Sequence, residues 1–258
     1  MEDRLEKNQF CSAIILAAGK GTRMKSDKPK VIFELAGKPM INRVVETANK
    51  INSDLIAIVV GYMKEQVVDV VPKNDNVKFV EQVQQNGTGH AVMVTEEIFK
   101  DFNGDVFILC GDVPLLRYKT LEKIQEHHRK INASCTVLTA VMDDALRYGR
   151  IVRNSDGNVQ RIVEFKDATA EEKEINEINT GIYCFDAKDL FAALHGIDNN
   201  NNQNEYYLTD TLEILDKKNK LVTSVILDDM VEASGVNSKE QLADLEAEFL
   251  SRQEHFER

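Results

Sequence analysis

The sequence predicts an α/β protein with a Rossmann-like, mainly parallel sheet, helices on both of its faces, and a smaller antiparallel lobe. Three observations support this fold class. Apolar runs bounded by turn residues recur along the chain, stretches with helical spacing separate several of them, and short alternating segments take over after about residue 145. Strands that alternate with helices in this way form parallel sheets with right-handed crossovers. The predicted strands cover residues 12–17, 55–60, 77–80, 105–110 and 133–141.

A helix is predicted between the first two strands, where apolar residues follow Pro39 at steps of three and four. These residues are Ile41, Val44, Val45, Ala48 and Ile51. Two further helices are predicted at about 208–219 and 239–256. In the last one, Ser238 and Gln241 have the spacing of a capping box. The apolar residues expected to share one face of that helix are Leu242, Leu245, Phe249 and Leu250.

The second half of the chain is predicted to contain a hairpin, because residues 149–153 and 159–164 alternate in polarity around a turn at 156–158. The tract 199–204, which is rich in asparagine, is interpreted as a polar surface loop. We therefore divide the chain into an N-terminal extension, a main domain in two parts, and a C-terminal helix. The boundaries are 1–11 for the extension, 12–237 for the domain with parts at about 12–145 and 146–237, and 238–258 for the helix.

The composition restricts the partners of the chain. At 258 residues and 43% hydrophobic it is long enough for a large core, and its net charge of -11 disfavours binding to nucleic acid. A small anion remains a candidate ligand, because residues 20–30 carry five cationic side chains and one acid, Asp27. The five are Lys20, Arg23, Lys25, Lys28 and Lys30.

Neither a signal peptide nor a membrane span is predicted, because the first ten residues are mostly polar and no run of about 18 apolar residues occurs. We expect no membrane partner and a cytoplasmic location. The four cysteines lie far apart, mostly within apolar segments, at positions 11, 110, 135 and 184. This pattern is typical of buried free thiols in a reducing compartment. His127 and His128 are adjacent on a predicted helix and point in different directions, so we expect solvent-facing histidines and no metal pair.

A phosphate-binding loop is predicted where the first strand ends, at residues 16–24. Glycines and small residues let backbone amides approach phosphate oxygens, while Lys20, Arg23 and Lys30 supply positive charge. The spacing excludes a GxGxxG dinucleotide motif, whose third glycine would fall at Met24, and a GxxxxGK[ST] loop is absent. The alternative is a tight strand-to-helix turn with exposed lysines.

Two further strand ends carry polar residues that could reach the same edge of the sheet. Asp112 follows the strand 105–110, where a carboxylate could hold a metal ion, although Gly-Asp is also an ordinary turn. Gln82 and residues 87–89 follow the third strand. A side-chain amide can both donate to and accept from the edge of uracil, and the alternative is a polar loop at a helix start.

The segment 16–24 together with Lys30 resembles the LxxGxGTRM…PK signature of the sugar-1-phosphate nucleotidylyltransferase family. Further segments resemble its N-acetylglucosamine-1-phosphate uridyltransferase branch, and the resemblance runs from about residue 12 to 245. These segments are residues 82, 87–90, 111–114, 148–150, 163–164 with 166–167, 177–181, 205–210 and 235–237. The resemblance implies the nucleotide-diphospho-sugar transferase fold, with residues 12–145 binding the nucleotide and the antiparallel lobe at 146–237 binding the sugar.

The reaction implied by the resemblance is Mg²⁺-dependent transfer of UMP from UTP to N-acetylglucosamine 1-phosphate, giving UDP-N-acetylglucosamine, a peptidoglycan precursor, and pyrophosphate. Two alternatives remain open. One is a uridylyltransferase for glucose or GalNAc 1-phosphate, and the other is a degenerate module that only binds a nucleotide sugar.

The resemblance also implies site residues. Arg23, Lys30 and Asp112 are implied to be catalytic, and Asp112 and Asn237 to bind Mg²⁺. The implied nucleotide-binding residues are Leu16, Ala17, Ala18, Gly19, Lys20, Gly21, Gln82, Gly87 and Thr88. The implied sugar-binding residues are Gly149, Glu164, Asn179, Tyr206 and Thr209. Of Tyr206 and Tyr207, we expect one to stack on the sugar and the other to pack in the core. His90 belongs to the resemblance without an assigned role.

The chain departs from the family in two ways. Full-length bifunctional members continue after the last helix with an acetyltransferase β-helix, which also forms their trimer, and hexapeptide repeats of that kind are not visible here. Acetyltransferase activity is therefore not expected, the oligomeric state is not predicted, and an excised domain and a free-standing enzyme both remain open. The family also tends to have Gly where this chain has Asn204, and Asn tolerates left-handed backbone angles.

Overall fold

Nine strands form one sheet in the computed structural model, which describes residues 10–145 and 147–257. They are β1 (Cys11–Leu16), β4 (Leu55–Val60), β5 (Val77–Glu81), β6 (Asp105–Cys110), β7 (Cys135–Val141), β8 (Arg150–Arg153), β9 (Val159–Val163), β10 (Glu177–Asp186) and β11 (Val222–Ile226). A separate small hairpin joins β2 (Glu34–Leu35) and β3 (Lys38–Pro39). The five strands predicted from apolar runs are all present.

The main path through the sheet is β11-β7-β10-β6-β1-β4-β5. Strand β1 pairs in parallel with both β4 and β6, β4 with β5, and β7 with β11. Strand β10 is antiparallel to both of its neighbours, β6 and β7. All other strands on this path therefore run in one direction, and the predicted mainly parallel sheet is confirmed.

Helices cover both faces of the sheet, as predicted. They are α1 (Met40–Lys50), α2 (Lys64–Val70), α3 (Thr88–Met93), α4 (Glu96–Phe99), α5 (Tyr118–Lys130), α6 (Ala170–Lys173), α7 (Ala187–Leu194), α8 (Asp210–Lys217), α9 (Lys239–Ser251) and α10 (Gln253–Glu257). Successive residues of β1 point to opposite faces, so Ile15 packs in the cluster that contains α1 and α5, and Ile14 in the cluster that contains α7 and α8. All five predicted apolar residues from Ile41 to Ile51 are buried.

The predicted hairpin is present as the antiparallel pair β8 and β9. It joins the main sheet through β10, where Ile178 lies opposite Arg150. The second half of the chain thus shares its sheet with the first half, and the predicted boundary near residue 145 stays a prediction. Residues 1–9 of the predicted extension lie outside the described residues, and Cys11 already belongs to β1.

The C-terminal helix is shorter than predicted. Helix α9 ends at Ser251, and the backbone of Arg252 leaves the helical region before α10 begins. Leu245 and Phe249 are buried as expected, but Leu250 is 57% exposed because it lies outside the packed stripe of the helix. The hydroxyl of Ser238 accepts from the backbone amide of Gln241 at 3.2 Å, which is one half of the predicted capping box.

One prediction about the histidines was wrong. His128 is only 3% exposed, because α5 packs on the sheet and the His128 ring contacts the Thr136 hydroxyl at 2.9 Å. Burial lowers the pKa of His128, which favours the neutral ring. The cysteines agree with expectation, since all four are free and three are buried. Among the described residues, no helix is both long and apolar enough to cross a membrane.

The backbone at Asn204 is left-handed, a conformation that glycine also adopts readily. Asn204 has φ of 51°, a left-handed conformation that Asn tolerates and β-branched residues disfavour. We expect Asn204→Val to lower the free energy of unfolding by about 1 to 2 kcal/mol. Chemical denaturation checks this, with Asn204→Gly as the matched control. Equal stability of the two variants would contradict the backbone argument.

Candidate active site at the carboxyl edge of the sheet

The predicted phosphate loop follows β1 and is folded back by a left-handed glycine. Gly21 has φ of 57°, and a Cβ atom there would lie 2.6 Å from Cβ of Lys30, so this position requires glycine. Met24, which ends a 3-10 turn, is buried in a cluster with Val236 and α9 residues. The side chains of Lys20 and Arg23 remain exposed. The loop is thus anchored at its end while its cations face solvent.

Lys30, Asp112 and Asn237 meet at this edge, although they are far apart in sequence. The Lys30 ammonium donates to the Asp112 carboxylate and, at 2.8 Å, to Oδ1 of Asn237. The side chains of Lys30 and Asp112 are 15% and 20% exposed. The Val236 amide donates to the Asp112 carbonyl at 3.0 Å, which joins the segment before α9 to the end of β6. Two oxygens from separate elements therefore converge on one cation.

A cavity of about 480 Å³ opens beside this cluster. It is lined by Arg23, Cys110, Asp112, Val113, Arg147, Tyr148, Thr180, Ala233, Gly235, Asn237 and Gln241. Two guanidinium groups and one carboxylate share this wall, so the cavity suits an anionic ligand accompanied by a metal ion. The three residues implied to be catalytic thus lie in or directly against one cavity.

Gln82 is positioned by the loop that follows it. The side chain is 4% exposed, and its amide nitrogen donates to the Gly87 carbonyl at 3.0 Å and contacts Nδ1 of His90 at 3.1 Å. Gly87 has φ of 105°, and a Cβ atom there would lie 2.6 Å from the Tyr206 carbonyl. These contacts fix the orientation of the Gln82 amide, which any recognition of a base edge requires.

The candidate sugar residues form two groups. In the first, the backbone amide of Asn179 donates to the Gly149 carbonyl at 2.9 Å. The Asn179 side chain donates to the Tyr183 hydroxyl at 2.7 Å and accepts from the Gly181 amide at 2.9 Å. Its polar atoms therefore hold the irregular centre of β10, where the pairing with β7 shifts register. Thr180 beside it reaches the 480 Å³ cavity.

In the second group, the Thr209 hydroxyl donates to the Glu164 carboxylate at 3.2 Å. Burial raises the pKa of Glu164. Glu164 lines a different cavity of about 410 Å³ together with Asp167, Tyr207 and Asp210. The structure thus pairs Glu164 with Thr209 but does not place them in the cavity beside Asp112.

The two adjacent tyrosines differ in their surroundings. Tyr207 is buried, and its hydroxyl accepts from Gln203 at 2.8 Å and donates to Asp167 at 3.2 Å. Tyr206 is partly buried, and its backbone carbonyl accepts from the Gly89 amide at 2.8 Å. Tyr207 therefore has the core environment expected of one of the pair, and stacking of Tyr206 on a sugar stays a prediction.

Sequence reasoning missed three residues of this region. The ring of His90 contacts the side chain of Gln82. The side chain of Gln241 accepts from the backbone amide of Asn237 at 2.8 Å, and Arg147 lines the cavity. Gln241 was predicted to complete the capping box, but its side chain holds the residue before Ser238. In the sequence, His90 lies in a segment that resembles the family, Gln241 was assigned only to the helix cap, and Arg147 was marked only by its charge, two residues before the matched Gly149.

Asp210 gives the region a pH response that can be measured. Burial and the nearby carboxylates of Asp198 and Glu164 raise the pKa of Asp210 to about 6. Because the folded chain then holds this proton more tightly than the unfolded chain, the free energy of unfolding falls as pH rises from about 4 to about 6. We expect Asp210→Asn to reduce that fall. Denaturation across this pH range checks it, with the exposed Asp101→Asn as control, and a parental slope in Asp210→Asn would contradict it.

An open α/β sheet whose strands end in a cationic loop and an aspartate is typical of proteins that bind phosphorylated ligands. Solved structures share this fold. The crystal structure of UDP-glucose pyrophosphorylase complexed with UDP-glucose matches with a TM-score of 0.76 and 21% identity, over 95% of this chain and all of that chain. UDP-glucose pyrophosphorylase from Acinetobacter baumanii matches with a TM-score of 0.69 and 19% identity, over 93% of each chain. At these identities the likeness shows the fold alone.

The chain belongs to the nucleotidyl transferase family, which matches residues 12–231. Bifunctional protein GlmU of Acetivibrio thermocellus is 47% identical over 232 residues, 90% of this chain and 50% of that protein. Bifunctional protein GlmU of Lactococcus lactis subsp. lactis is 44% identical over 248 residues, 96% of this chain and 53% of that protein. The chain spans about half the length of these curated relatives. The family resemblance seen in the sequence is confirmed.

Proposed function

We propose that this chain transfers UMP from UTP to N-acetylglucosamine 1-phosphate, releasing pyrophosphate and forming UDP-N-acetylglucosamine, a precursor of the cell envelope. The observation that carries the proposal is the convergence of Lys30, Asp112 and Asn237 beside a cavity that Arg23 also lines. The family membership and the similarity to GlmU proteins support the reaction and the choice of substrates. The four free thiols support the predicted cytoplasmic location.

The donors at Asp112 and Asn237 fit a magnesium ion. Their oxygens already converge on one cation, the Lys30 ammonium, and carboxylate and amide oxygens are ligands that Mg²⁺ accepts. In the part of the chain that the structure describes, no cluster of three or more His, Cys, Asp or Glu side chains could hold a metal. Water and substrate phosphates would complete the coordination, as is usual for Mg²⁺. When bound, the ion would supply positive charge to the triphosphate.

The side chains of the cavity supply the rest of the mechanism. The phosphate of a sugar 1-phosphate is ionised near neutral pH, so its oxygen can attack the α-phosphorus of UTP without a general base. The work of the protein is then to align two anions and to neutralise their charge. Arg23 and Lys30 would bind the triphosphate and stabilise the negative charge that develops in the transition state, with Lys20 assisting. The Gln82 amide would select uracil, and Glu164 and Thr209 would bind the sugar hydroxyls.

A direct assay tests this function. Purified chain is mixed with UTP, MgCl₂ and N-acetylglucosamine 1-phosphate, and released pyrophosphate is measured together with the nucleotide sugar. We expect both products in equal amounts. Glucose and GalNAc 1-phosphates and the other nucleoside triphosphates form the comparison panel. A higher kcat/KM with another sugar phosphate would reassign the substrate, and absence of turnover with the whole panel would overturn the enzymatic proposal.

A further inference from the structure

Arg147 is a cation of the cavity that the proposed mechanism does not use. It lies on the loop between β7 and β8, and it lines the same cavity as Arg23 and Asp112. Its side chain is exposed, and among residues 10–145 and 147–257 it has neither an ion pair nor a hydrogen bond. Arg153 and Arg161, which follow it in the second half, are each paired with a glutamate. A guanidinium without a carboxylate partner at an anion-binding cavity is available for a ligand.

A second arginine, Arg150, forms hydrogen bonds to the backbone near Arg147. Arg150 is 3% exposed, and its guanidinium donates to the Ala145 carbonyl at 3.1 Å and to the Tyr148 carbonyl. The Tyr148 amide also donates to the Ala145 carbonyl, at 3.2 Å. These bonds hold the backbone at Ala145 and at Tyr148. Arg147 is therefore bonded directly to a residue with a fixed carbonyl, Tyr148, which lowers the ordering that anion binding costs.

The topology places Arg147 and Arg23 on different sides of the cavity. Arg23 follows β1, Arg147 follows β7, and strands β6 and β10 separate β1 from β7 in the sheet. On the Arg147 side, the cavity is lined by Tyr148 and Thr180, which adjoin the candidate sugar residues Gly149 and Asn179. Arg147 thus lies where the phosphate of the sugar 1-phosphate would bind, and Arg23 lies where the triphosphate would bind.

We propose that Arg147 binds the phosphate group of the sugar 1-phosphate substrate. This inference rests on the proposed uridylyltransferase function and adds a substrate-binding residue to it. The planar guanidinium can donate two parallel hydrogen bonds to a phosphate. It also offsets the repulsion between the attacking dianion and the triphosphate, because it contributes a positive charge on the sugar side of the cavity.

The test is a steady-state comparison of Arg147→Gln and Arg147→Lys with the parent chain. The KM for N-acetylglucosamine 1-phosphate is measured at saturating UTP and Mg²⁺, and the KM for UTP at saturating sugar phosphate. We expect Arg147→Gln to raise the KM for the sugar phosphate about tenfold or more, since a charge-assisted hydrogen bond is lost. The KM for UTP should change less than about twofold, and Arg147→Lys should recover part of the loss because it restores the charge.

The reverse reaction and a charge control complete the experiment. In pyrophosphorolysis of UDP-N-acetylglucosamine, Arg147→Gln should leave the KM for pyrophosphate unchanged. Lys73→Gln removes one exposed positive charge from the loop before β5, at the opposite edge of the sheet, and should retain the parental KM values. Circular dichroism confirms that each variant folds.

The outcomes separate this inference from the function on which it rests. A parent chain without turnover would overturn the proposed function. An active parent together with an unchanged sugar-phosphate KM in Arg147→Gln would overturn only the role of Arg147. A raised KM for UTP or pyrophosphate, with the sugar-phosphate KM retained, would also overturn that role, because Arg147 would then bind the triphosphate side.

Discussion

Lys30→Ala is expected to lower kcat about 100- to 1000-fold while the chain still folds, because it removes one preorganised charge from the reaction cavity. The Lys30 ammonium bonds to Asp112 and Asn237 at the cavity wall, and its side chain is only 15% exposed. Little water can replace the lost charge, so the developing negative charge would be poorly compensated. The measurement is kcat from pyrophosphate release, with circular dichroism to verify folding.

Lys100→Ala provides the control for loss of a paired lysine. Lys100 pairs with Glu97 at 2.5 Å, but these side chains are 60% and 80% exposed. An exposed pair contributes little to stability, and this one lies in the segment before β6 at the opposite edge of the sheet. We expect parental kcat for Lys100→Ala. If Lys30→Ala also kept the parental kcat, Lys30 would have no catalytic role.

Asp112→Ala is expected to abolish turnover that depends on Mg²⁺, a loss of at least about 1000-fold. Asp112 supplies the only carboxylate that lines the 480 Å³ cavity in the described part of the chain. Without it, Asn237 remains as the single oxygen donor of the pair, and one neutral amide binds Mg²⁺ weakly. The measurement is the initial rate against MgCl₂ concentration. In the parent, EDTA should stop the reaction and excess Mg²⁺ should restore it.

Asp228→Ala is the matched control, because it removes a surface carboxylate that pairs with Lys123 at 3.0 Å and is 83% exposed. It should saturate with MgCl₂ as the parent does. If Asp112→Ala reached the parental rate at the same MgCl₂ concentration, Asp112 would not be a metal ligand. A separate binding measurement with Mn²⁺ as a paramagnetic probe would show whether the variant loses the ion itself.

Much of the fold was readable from the sequence because its signals are local. The apolar run at 105–110 is long enough only for a strand buried on both faces, and it became β6. The turn at 156–158 between alternating segments gave the β8 and β9 hairpin. The loop at 16–24 was readable because glycines and cations are concentrated in a few residues. Each of these features depends on neighbours within a single element.

Features that depend on distant partners could not be read in this way. The burial of His128 comes from packing of α5 on β7, where Thr136 supplies a hydrogen-bond partner. The side chain of Gln241 holds Asn237 where a capping bond to Ser238 was expected, because the chain before α9 is tied to Asp112. The convergence of Lys30, Asp112 and Asn237 came from the family resemblance, since no local pattern joins positions this far apart.

Strand β10 limits how one half of the sheet can move against the other. It pairs with β7 along both of its halves, with β8 at Ile178 and with β6 from Tyr183 to Asp186, so one strand links the β8 and β9 hairpin to the centre of the sheet. A clamshell rotation of one half against the other would have to break these ladders. We therefore expect any closure around the proposed substrates to come from the loops at the rim, while the sheet stays rigid.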